Sequence, residues 1–518
     1  MPHTERDLGR LAGVAAVVVA TGFALWAFVV PLPVVADDSL FYVEIGSRMA
    51  AGEGSTFSGL LPTNGYQPLW QWTVAGLHAT PAGDLGQDGR LVAVLVLWSA
   101  LVVVGVVLLA RLARSIGATA VGAVAGVTPV LLAFALFNLW GSEAAVNLVA
   151  IVVAAIALRR VIEDPSRRAA AVLGLALGVT VLARLDNAAL VAAVVLVAGW
   201  GERRVPRRHL ALTVGVAAAA VAPFLVWNQI AFGRPDTVAS AIKSDLGAPS
   251  LRWGALPAFG WAVIAATVMA GLAWLAARRW AGLRLGADRG RVLAALALAS
   301  AVHVGVYAVF ATASRTHWAW YFVLQLVTLA LLVATAWSPL LAALAARPPS
   351  AARRAIVGLT WLVVAAVVVL PVLNAVAARQ RSTDGVDAID AAAGHLADVL
   401  PEDDAVLALD LPGAFAFRRT GPVVAFDGLT GDFDYQEDLA ERGIACTMED
   451  LGIDVVVSPD YLSWAPSIAT PGYGRAEVVL DRWIDDRPVG SVEVAEVDEV
   501  VRSADGEVVA WRVDWTCD

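Results

Sequence analysis

Charge is scarce in this chain. Aspartate, glutamate, lysine and arginine make up 16% of its 518 residues, against about 25% in an ordinary soluble domain. Lysine is almost missing, with Lys243 alone beside 36 arginines. No basic stripe interleaved with aromatics appears, which removes nucleic acid from the expected partners. Cysteine is confined to Cys446 and Cys517. Two cysteines are too few for a thiolate metal motif, and spacing alone does not say whether they meet. Internal repeats are lacking too, which argues against the doubled halves of a transporter.

What is abundant is apolar: 59% of the residues are hydrophobic. Runs of about 20 apolar residues can cross a hydrocarbon core of roughly 30 Å. Such runs fall near 11–31, 91–110, 118–137, 143–158, 169–183, 187–200, 209–230, 254–277, 292–312, 318–346 and 355–374. The first is longer than the apolar stretch of a secretory signal and reads as an uncleaved anchor. Pro68–Thr80 would reach only about 20 Å as a helix and reads as interfacial. The fold class is therefore a polytopic α-helical membrane protein of about eleven transmembrane helices.

Charge divides the chain in two. Residues 375–518 hold 30 acidic and 10 basic side chains, whereas the first 374 hold 16 and 27. With eleven spans, one set of loops carries 20 arginines: Arg6/Arg10, Arg111/Arg114, Arg159/Arg160/Arg167/Arg168, Arg203/Arg204/Arg207/Arg208, Arg278/Arg279/Arg284/Arg289/Arg291 and Arg347/Arg353/Arg354. The opposite loops carry seven cations: Arg48, Arg90, Arg184, Arg234, Lys243, Arg252 and Arg315. The positive-inside rule places the first set in the cytoplasm. The N-terminus is then inside, the first outer loop is 32–90, and the acidic C-terminal part is outside. In that part, Asp384–Leu400 reads as an amphipathic helix, Glu437–Leu451 as a helical stretch, and Ala405–Leu409, Val423–Phe426, Ile453–Val457 and Val508–Val513 as strands. Residues 375–518 are expected to form an extracytoplasmic α/β domain, and 1–374 the membrane domain.

The outer loops hold Asp37, Asp38, Glu143, Arg184, Asp186, Lys243, Arg315 and His317, several of them at the apolar boundary. Ionised groups there are costly unless paired or functional. Each has a plainer reading. Asp37 and Asp38 suit the start of a helix, and Glu143 suits the cap of the next. Arg184 with Asp186 suits a structural ion pair. Arg234 and Lys243 suit a solvated loop, His317 an interfacial histidine, and Trp318, Trp320 and Tyr321 an aromatic belt. Their common side favours one site between helices, fit for a lipid-linked anionic donor and a hydroxyl acceptor.

The first loop opens D-D-S-L-F-Y and closes N-G-Y-Q-P-L-W. It resembles the first loop of a bacterial and archaeal branch of the GT-C glycosyltransferases, which use lipid-linked sugars. Asp37, Asp38, Phe41, Gly52, Gly54, Gly65, Tyr66, Pro68 and Trp70 carry the match. G-S-E ending at Glu143, Arg184-Leu185-Asp186, the F-G-R-P-D-T-V-A-S-A-I-K ending at Lys243, and Asp427-Gly428-Leu429 resemble later motifs of that branch. Leucine stands at 185 where the branch has proline. The resemblance implies transfer of a sugar from a polyprenyl phosphate to a glycan, lipid or protein acceptor on the outer face, with inversion. It implies Asp37 or Asp38 as general base. Glu143, Arg184, Asp186, Lys243, Arg315, His317 and Tyr66 would bind substrate. Asp38 and Glu143 are the expected ligands should Mg2+ or Mn2+ take part. A lipid-linked saccharide transporter or a non-catalytic envelope scaffold are the alternatives.

Overall fold

The computed structural model describes residues 37–137, 139–200, 204–243, 258–280, 287–310 and 319–345, then 403–409, 411–426 and 428–459, four short strands beyond them, and a few isolated positions. The expected spans at 11–31 and 355–374, the expected helix Asp384–Leu400, Arg315 and His317 lie outside the described residues.

The membrane part is a succession of helices: α1 (Asp37–Ala51), α2 (Pro68–His78), α3 (Gln87–Ser115), α4 (Ala120–Leu136), α5 (Ala144–Glu163), α6 (Arg167–Ala183), α7 (Ala188–Gly199), α8 (Arg207–Phe232), α9 (Val238–Lys243), α10 (Ala258–Trp280), α11 (Ala287–Phe310) and α12 (Val323–Ala345). The other nine expected apolar runs fall on α3–α8 and α10–α12. Among the described residues, α3, α5, α8, α10, α11 and α12 are long and apolar enough to cross a membrane; α4 and α7 are apolar but shorter. The chain is a polytopic helical membrane protein.

Local chemistry sets the ends of several helices. The Thr119 and Ser166 side chains accept from the amides of Gly122 and Ala169 and cap α4 and α6. Gly233, at φ 71°, ends α8 in the left-handed conformation that glycine adopts freely. Packing then pairs α4 with α12, α6 with α8, and α7 with α11, and sets α5 between α3 and α6.

α2 is too short to cross a bilayer, at about 16 Å. It buries Trp70, Gln71 and Val74 and packs along α1. The Trp70 indole donates to the Gly141 carbonyl at 2.8 Å, which holds the first loop over the α4–α5 turn. Below it, Trp98 packs against Trp140 and Phe134, with centroids 4.8 and 5.7 Å away.

The C-terminal part has a five-stranded sheet ordered β2-β1-β3-β7-β6, from β1 (Val406–Ala408), β2 (Val423–Ala425), β3 (Val455–Pro459), β6 (Val497–Arg502) and β7 (Val508–Val513). β1 runs parallel to β2 and β3, and β7 antiparallel to β3 and β6. β4 (Ala476–Val479) and β5 (Ser491–Val494) form a separate antiparallel pair. Helices α13 (Pro412–Arg418), α14 (Phe433–Glu441) and α15 (Gly443–Leu451) accompany the sheet. The expected helical stretch 437–451 is thus two helices, broken where Gly443 takes φ 77°. Cys446 in α15 is disulfide-bonded to Cys517, with Cα atoms 4.6 Å apart.

Candidate active site

Several of the polar residues singled out in the sequence lie near one another, beginning at the start of α1. Val35 bridges to Trp140, and the Ser39 hydroxyl donates to the Trp140 carbonyl at 2.8 Å. These contacts set α1 against the turn that leads to Glu143. Tyr42 lies one helical turn beyond Asp38, on the same face of α1. Its hydroxyl donates to Glu143 Oε2 at 3.2 Å and accepts from the Gln67 amide at 3.3 Å. The Gln67 side-chain oxygen in turn accepts from the Leu185 amide at 3.2 Å.

Glu143 occupies the cap position of α5 but makes no side-chain cap bond. Its other oxygen, Oε1, takes a hydrogen bond from Arg184 Nη1. Both side chains are about 2% exposed, and charges so deeply buried must be paired. α6 ends at Arg184, whose backbone turns extended before a short 3-10 segment, Leu185–Asn187. That turn brings Asp186 back beside its own arginine: Nε lies 3.2 Å and Nη2 2.7 Å from the carboxylate. Asp186 also accepts from the Tyr307 hydroxyl, and His303 Nε2 of α11 lies 3.5 Å away. Burial alone would raise the Asp186 carboxyl, but Arg184 and then His303 hold it well below the usual carboxylate range.

The network extends to α9 and the turn before α12. The Arg184 guanidinium lies 4.1 Å over the Tyr321 ring, and Lys243 Nζ donates to the Tyr321 hydroxyl at 3.1 Å. Asn64 fixes the loop that carries Lys243. Its amide donates to the Asp236 carbonyl at 3.1 Å, and its oxygen accepts from the Val238 amide at 2.9 Å. Glu143, Arg184, Asp186 and Lys243 are therefore one connected cluster. Tyr66 is not bonded into it. It pairs instead with the Ser55 hydroxyl at 2.7 Å inside the first loop, and burial pushes it up to about 12.

The twin aspartates differ. Asp37 Oδ2 accepts from the Gly413 amide at 3.1 Å, and Oδ1 from the Ala414 amide at 2.8 Å. Asp38 is half-buried and makes no hydrogen bond or ion pair among the described residues, and its charge acts on Tyr42 and Glu143. Of the two expected metal ligands, Glu143 is engaged by Arg184 and Tyr42, whereas Asp38 is the carboxylate without such a bond. Among the described residues no three His, Cys, Asp or Glu side chains are grouped to hold a metal ion.

Tyr42, Gln67, Asn64, His303, Tyr307 and Tyr321 were not among the sequence candidates. Tyr321 reads from sequence as a belt aromatic yet stands between the site's two cations. The others have no signal apart from a polar group on an otherwise apolar helix or within the loop.

No family model matches the sequence, and no curated protein does. Solved structures do. ArnT from Cupriavidus metallidurans bound to undecaprenyl phosphate is 17% identical, with a TM-score of 0.56 over 97% of each chain. Its apo state gives 18% and 0.54, over 96% of this chain and 98% of that one. The chain shares the fold of these structures, the GT-C fold. Arabinofuranosyltransferase AftD from mycobacteria matches at 18% identity and a TM-score of 0.50, with 97% of this chain covering 41% of that longer one. At such identities it is the GT-C fold that is shared.

Proposed function

We propose that the protein is a membrane glycosyltransferase that moves a sugar from a polyprenyl-phosphate donor to a hydroxyl acceptor at the outer face, with inversion. The carrying observation is the cluster itself. Helix ends and loops far apart in sequence bring acids and cations together at one end of the bundle, in a GT-C fold. The ArnT structure of that fold holds undecaprenyl phosphate.

In this reading Asp38 is the general base. It is the acid of the pair whose oxygens are not taken up by backbone amides. Asp38 takes the acceptor proton as the acceptor oxygen attacks the anomeric carbon, and the bond from that carbon to the phosphate oxygen breaks in line. Polyprenyl phosphate leaves as the anion. Lys243 stabilises the departing phosphate as a compact charge. Arg184, enclosed by Glu143 and Asp186, holds the floor of the site and orients the Tyr321 ring. Arg315, on the same set of loops as Lys243, is a second cation for the phosphate, and His317 beside it a substrate contact. No step is assigned to a metal ion.

Eleven spans, with the N-terminus inside and residues 375–518 outside, complete the reading. The Cys446–Cys517 disulfide supports it, because such bonds persist in oxidising compartments. The test is transfer by membranes supplied with polyprenyl-phosphate sugars and envelope glycan acceptors. Asp38→Asn, at equal expression, is expected to lower transfer by roughly 100-fold or more. Full transfer by that variant rules out the proposed base, and no transfer by wild type with any donor tested rules out the reading.

A further inference from the structure

Helix α13 begins without a cap of its own. Leu411, at the cap position, offers no side-chain acceptor, and Pro412 at the first helical position needs none. Of the next two amides, that of Gly413 is an orphan donor of the kind a capping side chain normally satisfies, while that of Ala414 also reaches the Leu411 carbonyl at 3.1 Å. Asp37 accepts from both, from a position 376 and 377 residues earlier in the chain.

The backbone around this contact is shaped for it. Leu411 has φ 51° and is the one non-glycine residue at positive φ among the described residues, a conformation that residues other than glycine seldom take. That turn aims the two amides at the carboxylate. Gly413 comes close enough that an added Cβ would lie 2.5 Å from the Asp37 carbonyl oxygen and 2.9 Å from its Oδ1. Glycine is required there. Two further contacts hold the same surfaces together. Arg418, at the end of α13, pairs with Asp88 at 3.1 Å, and Gly65 of the first loop lies directly against the Leu429 carbonyl.

We propose that Asp37 is a positioning residue. Through it, the Leu411–Ala414 turn of the C-terminal part fixes the start of α1 and so the direction in which the neighbouring Asp38 faces. The two aspartates divide the work, one clamping and one reacting, and the C-terminal part is a working component of the transfer site. This inference rests on the transferase reading above.

The test uses the full-length protein in membranes or detergent, with Asp37→Ala, Asp37→Asn, Gly413→Val and Asp38→Asn compared at equal expression. Asp37→Ala and Gly413→Val are expected to lower kcat roughly 10- to 100-fold, the scale of a displaced catalytic group, with donor KM within about threefold of wild type. Asp37→Asn, which keeps one acceptor oxygen, is expected to recover part of that loss. The acid limb of the pH–rate profile is expected to persist in all three variants, because the base is still present, and to vanish in Asp38→Asn. Wild-type kcat in either Asp37→Ala or a folded Gly413→Val overturns the proposal. So does loss of the acid limb in Asp37→Ala, which would make Asp37 the base. If the wild type transfers no sugar, it is the transferase reading that fails. The clasp is then judged by hydrogen exchange: the Gly413 amide is expected to exchange faster in Asp37→Ala, and unchanged exchange overturns it.

Discussion

Lys243 donates a hydrogen bond to the Tyr321 hydroxyl at 3.1 Å, on the same ring that Arg184 covers from 4.1 Å. The one lysine of the chain is thereby held beside the ionic cluster rather than left in a solvated loop. If it receives the departing phosphate, Lys243→Gln should reduce kcat/KM for the donor by roughly 10- to 100-fold, the worth of a hydrogen bond to a charged group. Lys243→Arg should recover part of that. Tyr321→Phe loses the hydroxyl but keeps the ring under Arg184, so a loss of less than about tenfold is expected. Steady-state kinetics over a donor series checks all three, and an unchanged kcat/KM in Lys243→Gln removes Lys243 from the phosphate site.

The buried cluster sets two carboxylates, Glu143 and Asp186, on a single guanidinium. Removing Arg184 leaves Glu143 without its cation and Asp186 with only His303 and the Tyr307 hydroxyl, and breaking a buried pair costs about 3–5 kcal/mol. Arg184→Gln should therefore lower the Tm of the detergent-purified protein well below that of Glu143→Gln, which removes one of the two negative charges and keeps a hydrogen-bonding amide. Arg184→Lys should not rescue, because an ammonium does not reproduce the fork that reaches Glu143 and both oxygens of Asp186. Equal Tm values for Arg184→Gln and Glu143→Gln would contradict this charge balance.

How far the sequence foretold this arrangement depends on the kind of signal each residue leaves. Apolar runs located the described spans because length and composition set them directly. The α2 segment was recognisable as too short by the same measure. Acids and cations at helix ends stood out because charge is rare there, and four of them, Glu143, Arg184, Asp186 and Lys243, converge. Their partners left no such mark. Tyr42, Tyr307 and His303 sit on helices among apolar neighbours, where an aromatic ring reads as packing. Tyr321, in a run with two tryptophans, has the composition of an interfacial belt. The unequal engagement of Asp37 and Asp38 was invisible for a different reason: it is decided by a turn some 375 residues away. Glu143 illustrates the limit of local rules, since it holds the cap position of α5 while its carboxylate serves Arg184 instead.

His78, buried at the end of α2, gives a pH dependence of stability. Burial, reinforced by the charge of Arg90, lowers it to about 4. An unfolded histidine titrates near 6.5, so between those two values the unfolded chain binds a proton that the folded chain does not. Stability contributed at this position is thus constant above about pH 7 and falls as the pH drops from 6.5 towards 4. Thermal unfolding across that window should show a shallower slope for His78→Gln than for wild type. Matching slopes would mean that His78 stays neutral in both states or is exposed.

The disulfide offers a check on which side of the membrane residues 375–518 lie. Cys446 and Cys517 are 71 positions apart, and closing a loop of that length stabilises the folded state by on the order of 4 kcal/mol in the chain-entropy account. A bond of this kind forms and persists where the surroundings are oxidising, so an outer C-terminal part should carry it in freshly prepared membranes. A maleimide reagent that adds mass should then leave the denatured, unreduced protein unmodified and add two equivalents after reduction. Cys446→Ser should fold less stably, and the loss should be felt in α15 and the strands beside it, since the bond ties the chain end beyond β7 to that helix. Two free thiols in unreduced membranes would place this part in a reducing compartment. The direction of all the spans would then have to be reversed, and with it the side on which Asp38 meets its substrate.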